Sequence, residues 1–405
     1  MRTHKGVVRG RYSPKAEPMH QTPIDHMPRP AAGSAVTFRP FFSVQERRVV
    51  GMEGALPVYG KAPSLTDTAE MLEAFRLVAG DERHLLLMLG LSATWLGRQA
   101  PAPAWLLRAL EQADLPPARV ILLLEGAAPE ALPSLAAPVQ RLKRLGFMLA
   151  LAAPPGGEFP PLDALSLLGP HLVVLHQANP LAEPPQDPRH RLPRELVELL
   201  HGQGSLVLVK GIKDQGAALA ALYAGADYLQ GDFFAAALPH SGEFTAACAP
   251  GLEAAFSDLG LELMKCLAGE RRRRQRRRRV MEHLLDQLSW VSPPEFERVL
   301  DELAGLDAEL GCLYVLDRRG RQCTGLVFNP SLSPTPRREA LCPLSRGADC
   351  SLHPFYLKAR LGGGIHLSPP RPSLATGHPC LLAAARFRDR AGAIHVLCAE
   401  FYTSC

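Results

Sequence analysis

Between residues 36 and 240 the chain repeats one pattern: a short, continuous apolar run, a turn, then an amphipathic stretch. The runs are Leu85 to Leu89, Val120 to Leu124, Phe147 to Leu151, Leu172 to Leu175 and Leu206 to Val209, about thirty residues apart. A run apolar on both faces belongs to a parallel strand covered by helices, and this spacing fits a strand plus its crossover helix. Five such units, with further candidates at either end, predict a closed (β/α) barrel rather than an open sheet. The segments between them agree. Residues 102 to 114 and 132 to 145 carry helical spacing, and residues 214 to 224 begin with Asp214 as a cap.

At 405 residues the chain exceeds one ordinary core, so a second domain is expected. No apolar stretch is long enough to span a membrane. The first thirty residues lack the apolar segment of a secretory signal, and residues 1 to 33 read as a disordered tail. A cytoplasmic protein is the expectation. The net charge of +5 is local: the tail holds six Lys/Arg against two acids, and residues 271 to 279 hold eight arginines, leaving an acidic remainder. It therefore names no partner for the folded domains. Seven of the nine cysteines follow residue 311, and none form a CxxC pair. Cys342, Cys350, His353, His366, His378 and Cys380 lack the spacing of a zinc site, so they read as reduced thiols and ordinary histidines. No metal and no cofactor is expected.

The segment FRPFFSVQERRVVGMEGAL (Phe38 to Leu56) resembles the opening strand pair of EAL domains, which carries the Glu-Ala-Leu signature. RLKRLGFMLALAAPPGG (Arg141 to Gly157) resembles the family's LGxxLALDDFGTG stretch, and AGADYLQGDFFAAALP (Ala224 to Pro239) resembles its closing DYLQGYLF motif. The resemblance covers about 200 residues. It implies a TIM-like barrel that holds two divalent cations at the C-terminal ends of its strands and cuts a phosphodiester bond of cyclic di-GMP. Such cations need several carboxylate oxygens.

Carried over by position, the signature glutamate is Glu53, and the family's phosphate-contacting arginine falls on Pro57. Arg39 replaces the first strand's glutamine. Gly90 replaces a ligand asparagine, with Ser92 kept. A metal glutamate falls on Leu123, with Glu125 two positions on; the DDFGTG aspartates fall on Ala152 and Ala153. Val174 and His176 take the places of a lysine and an aspartate, and Lys210 and Lys213 those of two glutamates. Gln230 matches the late glutamine. The resemblance therefore implies a degenerate phosphodiesterase-like domain that is not an enzyme, with no catalytic or metal residues. Arg39, Glu53, Lys210, Lys213 and Gln230 are its candidate nucleotide contacts.

Residues 252 to 290 read as one long helix, with Gly260 and Gly269 as candidate breaks. Its apolar stripe asks for a cover, either a second copy over Met281 to Leu288 or the chain's own domains. The arginine run reads as the solvated surface of an interdomain helix. An acidic partner, lipid headgroups or nucleic acid are the alternatives, and no aromatic residue interleaves the run to stack on a single strand. Ser292-Pro293-Pro294-Glu295 starts a helix expected to reach Leu306, followed by a hairpin, a short helix and a terminal hairpin. Residues 353 to 401 resemble the α+β sheet of PAS/Cache sensors, which implies a pocket lined by Tyr356, Lys358, Arg360 and His366.

The expected order is thus a tail (1–33), an EAL-type barrel (34–251), an Arg-rich helical linker (252–291) and a PAS/Cache-like domain (292–405). The expected function is a non-catalytic regulator that uses the barrel as a platform for an unidentified protein partner and the C-terminal domain as a sensor or dimerisation unit. A cyclic-di-GMP receptor or phosphodiesterase is the alternative.

Overall fold

A computed structural model describes residues 37–55, 65–80, 85–93, 96, 104–127, 129–153, 161–176, 194–238, 252–331, 345–373 and 375–402. The expected disordered tail, Pro57 and Cys342 lie outside these residues.

Eight strands close a barrel in chain order: β1 (Thr37–Ser43), β2 (Arg48–Ala55), β3 (Leu86–Ser92), β4 (Val120–Glu125), β5 (Met148–Ala152), β6 (Leu172–His176), β7 (Leu206–Lys210) and β8 (Tyr228–Leu229). β1 runs antiparallel to both neighbours, and the other contacts are parallel. All five apolar runs are strands. Their residues alternate between two cores: Met88, Ile121, Leu123, Ala150, Val174 and Leu208 fill the barrel with Phe41, while Leu87, Leu122, Leu149, Val173 and Val207 face the helices. Gly51 makes room for that filling, because a Cβ there would lie 2.4 Å from the Phe41 ring.

The helices between strands are α1 (Leu65–Gly80), α2 (Ala104–Ala113), α3 (Leu132–Arg144), α4 (Leu162–Leu168), α5 (Arg194–Gly202) and α6 (Gln215–Ala224). Asp214 caps α6 by accepting a hydrogen bond from the Ala217 amide at 2.8 Å.

The linker is one unbroken helix, α7 (Leu252–Ser289), of 38 residues. Gly260 and Gly269 do not interrupt it; both face open space, where a glycine costs helix propensity but no packing. Part of its apolar stripe is covered within the chain, while Leu261, Met264 and Leu267 stay exposed. Phe256 and Leu259 join the barrel's outer core, while Val280, Met281, Leu284 and Leu288 join the core of the C-terminal sheet. Placing a dimer contact on Met281 to Leu288 is therefore corrected: Met281, Leu284 and Leu288 are all 0% exposed, buried by the chain's own sheet.

Beyond α7 a capping box at Ser292 and Glu295 opens a 3-10 turn and then α8 (Phe296–Leu303), three residues shorter than the sequence suggests. The C-terminal domain is a six-stranded antiparallel sheet, ordered β10 (Val327–Phe328), β9 (Leu310–Leu316), β14 (Ile394–Tyr402), β13 (Pro379–Arg388), β11 (His366–Leu367), with β12 (Arg371–Pro372) also on β13. One face packs on α7 and α8, and the other on α9 (Pro354–Leu361). Six described cysteines, Cys266, Cys312, Cys323, Cys350, Cys380 and Cys398, are free thiols. Among the described residues no helix is long and apolar enough to cross a membrane.

Candidate functional site

Parallel strands end together at one mouth of a barrel, so their last inward side chains form a rim above the packed interior. Alternation from Leu123, Val174 and Leu208 carries Glu125, His176 and Lys210 to that rim on β4, β6 and β7. Glu53 reaches it from β2, and Arg39 lies opposite Glu53 in the β1–β2 register. His176 and Lys210 are partners in the β6–β7 register.

The centre of the rim is an ion pair. Lys210 Nζ lies 2.5 Å from Glu53 Oε1, with the two side chains only 9% and 11% exposed. With both partners this desolvated, removing either would leave the other buried without its partner. Gln230 is buried beside them and donates from Nε2 to the Arg39 carbonyl at 3.2 Å. The Arg39 and Lys213 side chains stay exposed. Partial burial holds the His176 imidazole below its ordinary pKa; the Lys210 charge adds to this, while Glu53 and Glu125 oppose it. All four groups therefore share one electrostatic environment.

Arg39, Glu53, Lys210 and Gln230 thus come together, while Lys213 sits in the loop after β7. Glu125 and His176, which the resemblance places at or beside ligand positions without making them candidate contacts, also stand on the rim. The signal for Glu125 was present: a position two residues after an inward Leu123 faces inward again. A Cβ at Gly90 would lie 3.7 Å from the Glu125 carboxylate, so that carboxylate occupies the space a larger β3 side chain would take. Ala152 and Ala153 are both buried, Ala152 inside the barrel and Ala153 in its outer core. Among the described residues no three His, Cys, Asp or Glu side chains gather as a metal site. Among the described residues the rim carboxylates are Glu53, which is engaged by the Lys210 ammonium, and Glu125.

The C-terminal candidates do not share a surface. Tyr356 is buried, its hydroxyl donating to the Arg318 carbonyl at 2.8 Å, whereas Lys358 and Arg360 project from the exposed side of α9. His366 is half-buried on β11. The helix period separates residues that look adjacent in sequence.

Fold and rim define a TIM-like (β/α) barrel with a polar site at its C-terminal mouth. Residues 63–237 match the model of the EAL domain family. The Bacillus subtilis YkuI protein with an EAL domain, in complex with substrate cyclic di-GMP and calcium, is similar at 18% identity and TM-score 0.65, over 91% of this chain and 96% of that one. The EAL domain of Mycobacterium smegmatis DcpA is similar at 18% identity and TM-score 0.44, over 54% of this chain and 96% of that one. A standalone EAL protein from Vibrio cholerae O395, bound to cyclic di-GMP, is similar at 17% identity and TM-score 0.42, over 51% and 94%. No curated protein sequence matches the chain.

The EAL match overturns the expectation that the chain is not an enzyme. That expectation rests on Gly90, Leu123, Ala152, Ala153, Lys210 and Lys213 standing where the resemblance implies ligands; the barrel changes the β4 reading, since alternation from the inward Leu123 brings Glu125 to the rim.

Proposed function

We propose that the chain is a cyclic-di-GMP signalling protein whose barrel mouth recognises the nucleotide, and whose C-terminal domain, a sensor of PAS/Cache type, is coupled to that mouth through α7. The barrel would span residues 34–251, the linker 252–291 and the sensor 292–405. The observation that carries this reading is the buried Lys210–Glu53 pair at the rim, flanked by the exposed Arg39 and Lys213. A cyclic dinucleotide presents two phosphates, which call for cations held on a rigid frame, and guanine edges, whose N–H groups donate to carboxylates and whose O6 and N7 accept from amides. Glu53, Gln230, Arg39, Lys210 and Lys213 supply both. The similar Bacillus protein, with the same fold across both domains, holds cyclic di-GMP.

Coupling has a physical route. Lys213 and the Asp214 cap lead directly into α6, whose Tyr223 hydroxyl donates to Glu270 on α7. Two turns further along α7, Arg276 and Arg277 bind Asp307 and Glu309 just before β9, at 2.5 Å and 2.7 Å. A change in the sheet would thus bear on the helix that follows the rim loop.

The test is calorimetric titration of the full chain with cyclic di-GMP, with and without Mg²⁺ or Mn²⁺, followed by chromatography of the nucleotide. Saturable binding at one site per chain supports the reading, and product would make the nucleotide a substrate as well as a ligand. Neither heat nor product under any of these conditions overturns it.

A further inference from the structure

We propose that the outward face of α7 and the adjoining end of α9 form a docking surface for an anionic membrane, with lipid phosphates taking the arginines and exposed apolar side chains entering the interface. Arg276 and Arg277 are committed to Asp307 and Glu309, and Arg278 lies 3.5 Å from Glu282. Arg271, Arg272, Arg273, Arg274 and Arg279 are exposed and have no ion pair among the described residues. Met264, Arg271 and Arg278 follow one another at seven-residue steps and so share a helix face. Met264 is 67% exposed on it, and Trp290 is 72% exposed where the helix ends.

The patch continues onto the C-terminal domain. A Cβ at Gly364 would lie 3.9 Å from the Arg278 guanidinium, which places the loop after α9 against the arginines. At that end of α9, Leu361 is 86% exposed and Leu357 is 41% exposed, with the exposed Lys358 and Arg360 between them. Cations interspersed with exposed Leu, Met and Trp are the composition of an interfacial surface, where headgroup attraction and apolar insertion add. A nucleic-acid duplex would use the arginines but leave the leucines in water.

The experiment is sedimentation of the full chain with vesicles of phosphatidylcholine alone and of phosphatidylcholine mixed with phosphatidylserine, with a DNA duplex as a parallel probe. Partition onto the mixed vesicles alone, weakening as salt rises, is expected. Removing Arg271, Arg272 and Arg279 (each →Gln) should lower it roughly fivefold per arginine. Leu361→Ser with Trp290→Ser should lower partition without changing its salt dependence. All five positions are exposed, and circular dichroism checks that the variants stay folded. Equal partition of variants and wild type, or none onto anionic vesicles, overturns the proposal. So does arginine-dependent duplex binding with the vesicles ignored, which would give the surface to nucleic acid.

Discussion

Lys210 and Glu53 lie 157 positions apart in the chain and meet only because the barrel closes. A pair this buried is weak evidence of net stabilisation, but breaking it is costly, since the remaining charge keeps its desolvation penalty and loses its partner. Lys210→Met is expected to lower unfolding stability by about 3 kcal/mol, and adding Glu53→Gln should restore part of that loss. Urea denaturation reads both, and a change below about 0.5 kcal/mol for the single variant would show the pair to be solvated. His176, His171 and His353 are all held below the ordinary histidine value of 6.5, each chiefly by burial. The unfolded chain therefore takes up protons first, so stability is full above about pH 6.5 and declines as pH falls below it. A stability profile flat from pH 7 to about 5 would contradict these shifts. Burial raises the thiols of Cys323 and Cys380 to about 11 and about 12. Among the described cysteines, alkylation of the folded protein at about pH 8 should mark the exposed Cys266 and spare these two, as peptide mapping would show. At this scale, sequence matching carried Glu53, Lys210 and Gln230 to the rim, but it had no means to choose between Leu123 and Glu125. Only the alternation of a strand whose inward face is known makes that choice.

Helix α7 shows what the pattern of an element tells and what it leaves out. Its apolar spacing calls for a cover on both sides of the arginine run; the chain covers Phe256 and Leu259 before the run and Val280 to Leu288 after it, and leaves Leu267 exposed. Spacing identifies a buried face without identifying what buries it, which is why the stripe at Met281 to Leu288 read equally well as a contact between two copies. Leu284→Ala should cost about 3 kcal/mol, as a fully buried leucine does when it leaves a cavity, with no change of mass in light scattering. A dimer converted to monomer by that substitution would restore the second-copy reading. The five apolar runs of the barrel were legible because parallel strands covered on both faces leave a continuous apolar signature. Strands β10, β11 and β12 were less so; each is two residues long, too short for any period to register. On α9 the candidate residues differ in burial, Tyr356 being buried and Lys358 and Arg360 exposed, a distinction that the sequence pattern alone does not carry.

Across the whole molecule one continuous path runs from the C-terminal sheet to the barrel mouth: Glu309 and Asp307 to α7, Glu270 to Tyr223, and α6 to the loop carrying Lys213. Arg277 is the buried joint of that path, only 8% exposed in its side chain against 22% for Glu309. The central claim, however, is that the Lys210–Glu53 rim is where the nucleotide sits. The measurement that bears on it most directly is the affinity of cyclic di-GMP for the wild-type chain against the paired variant Glu53→Gln/Lys210→Met, which removes both charges together. Loss of charge-assisted bonds to the ligand should weaken binding by about tenfold or more in the folded variant. Wild-type affinity in that variant would place the nucleotide elsewhere and contradict the account.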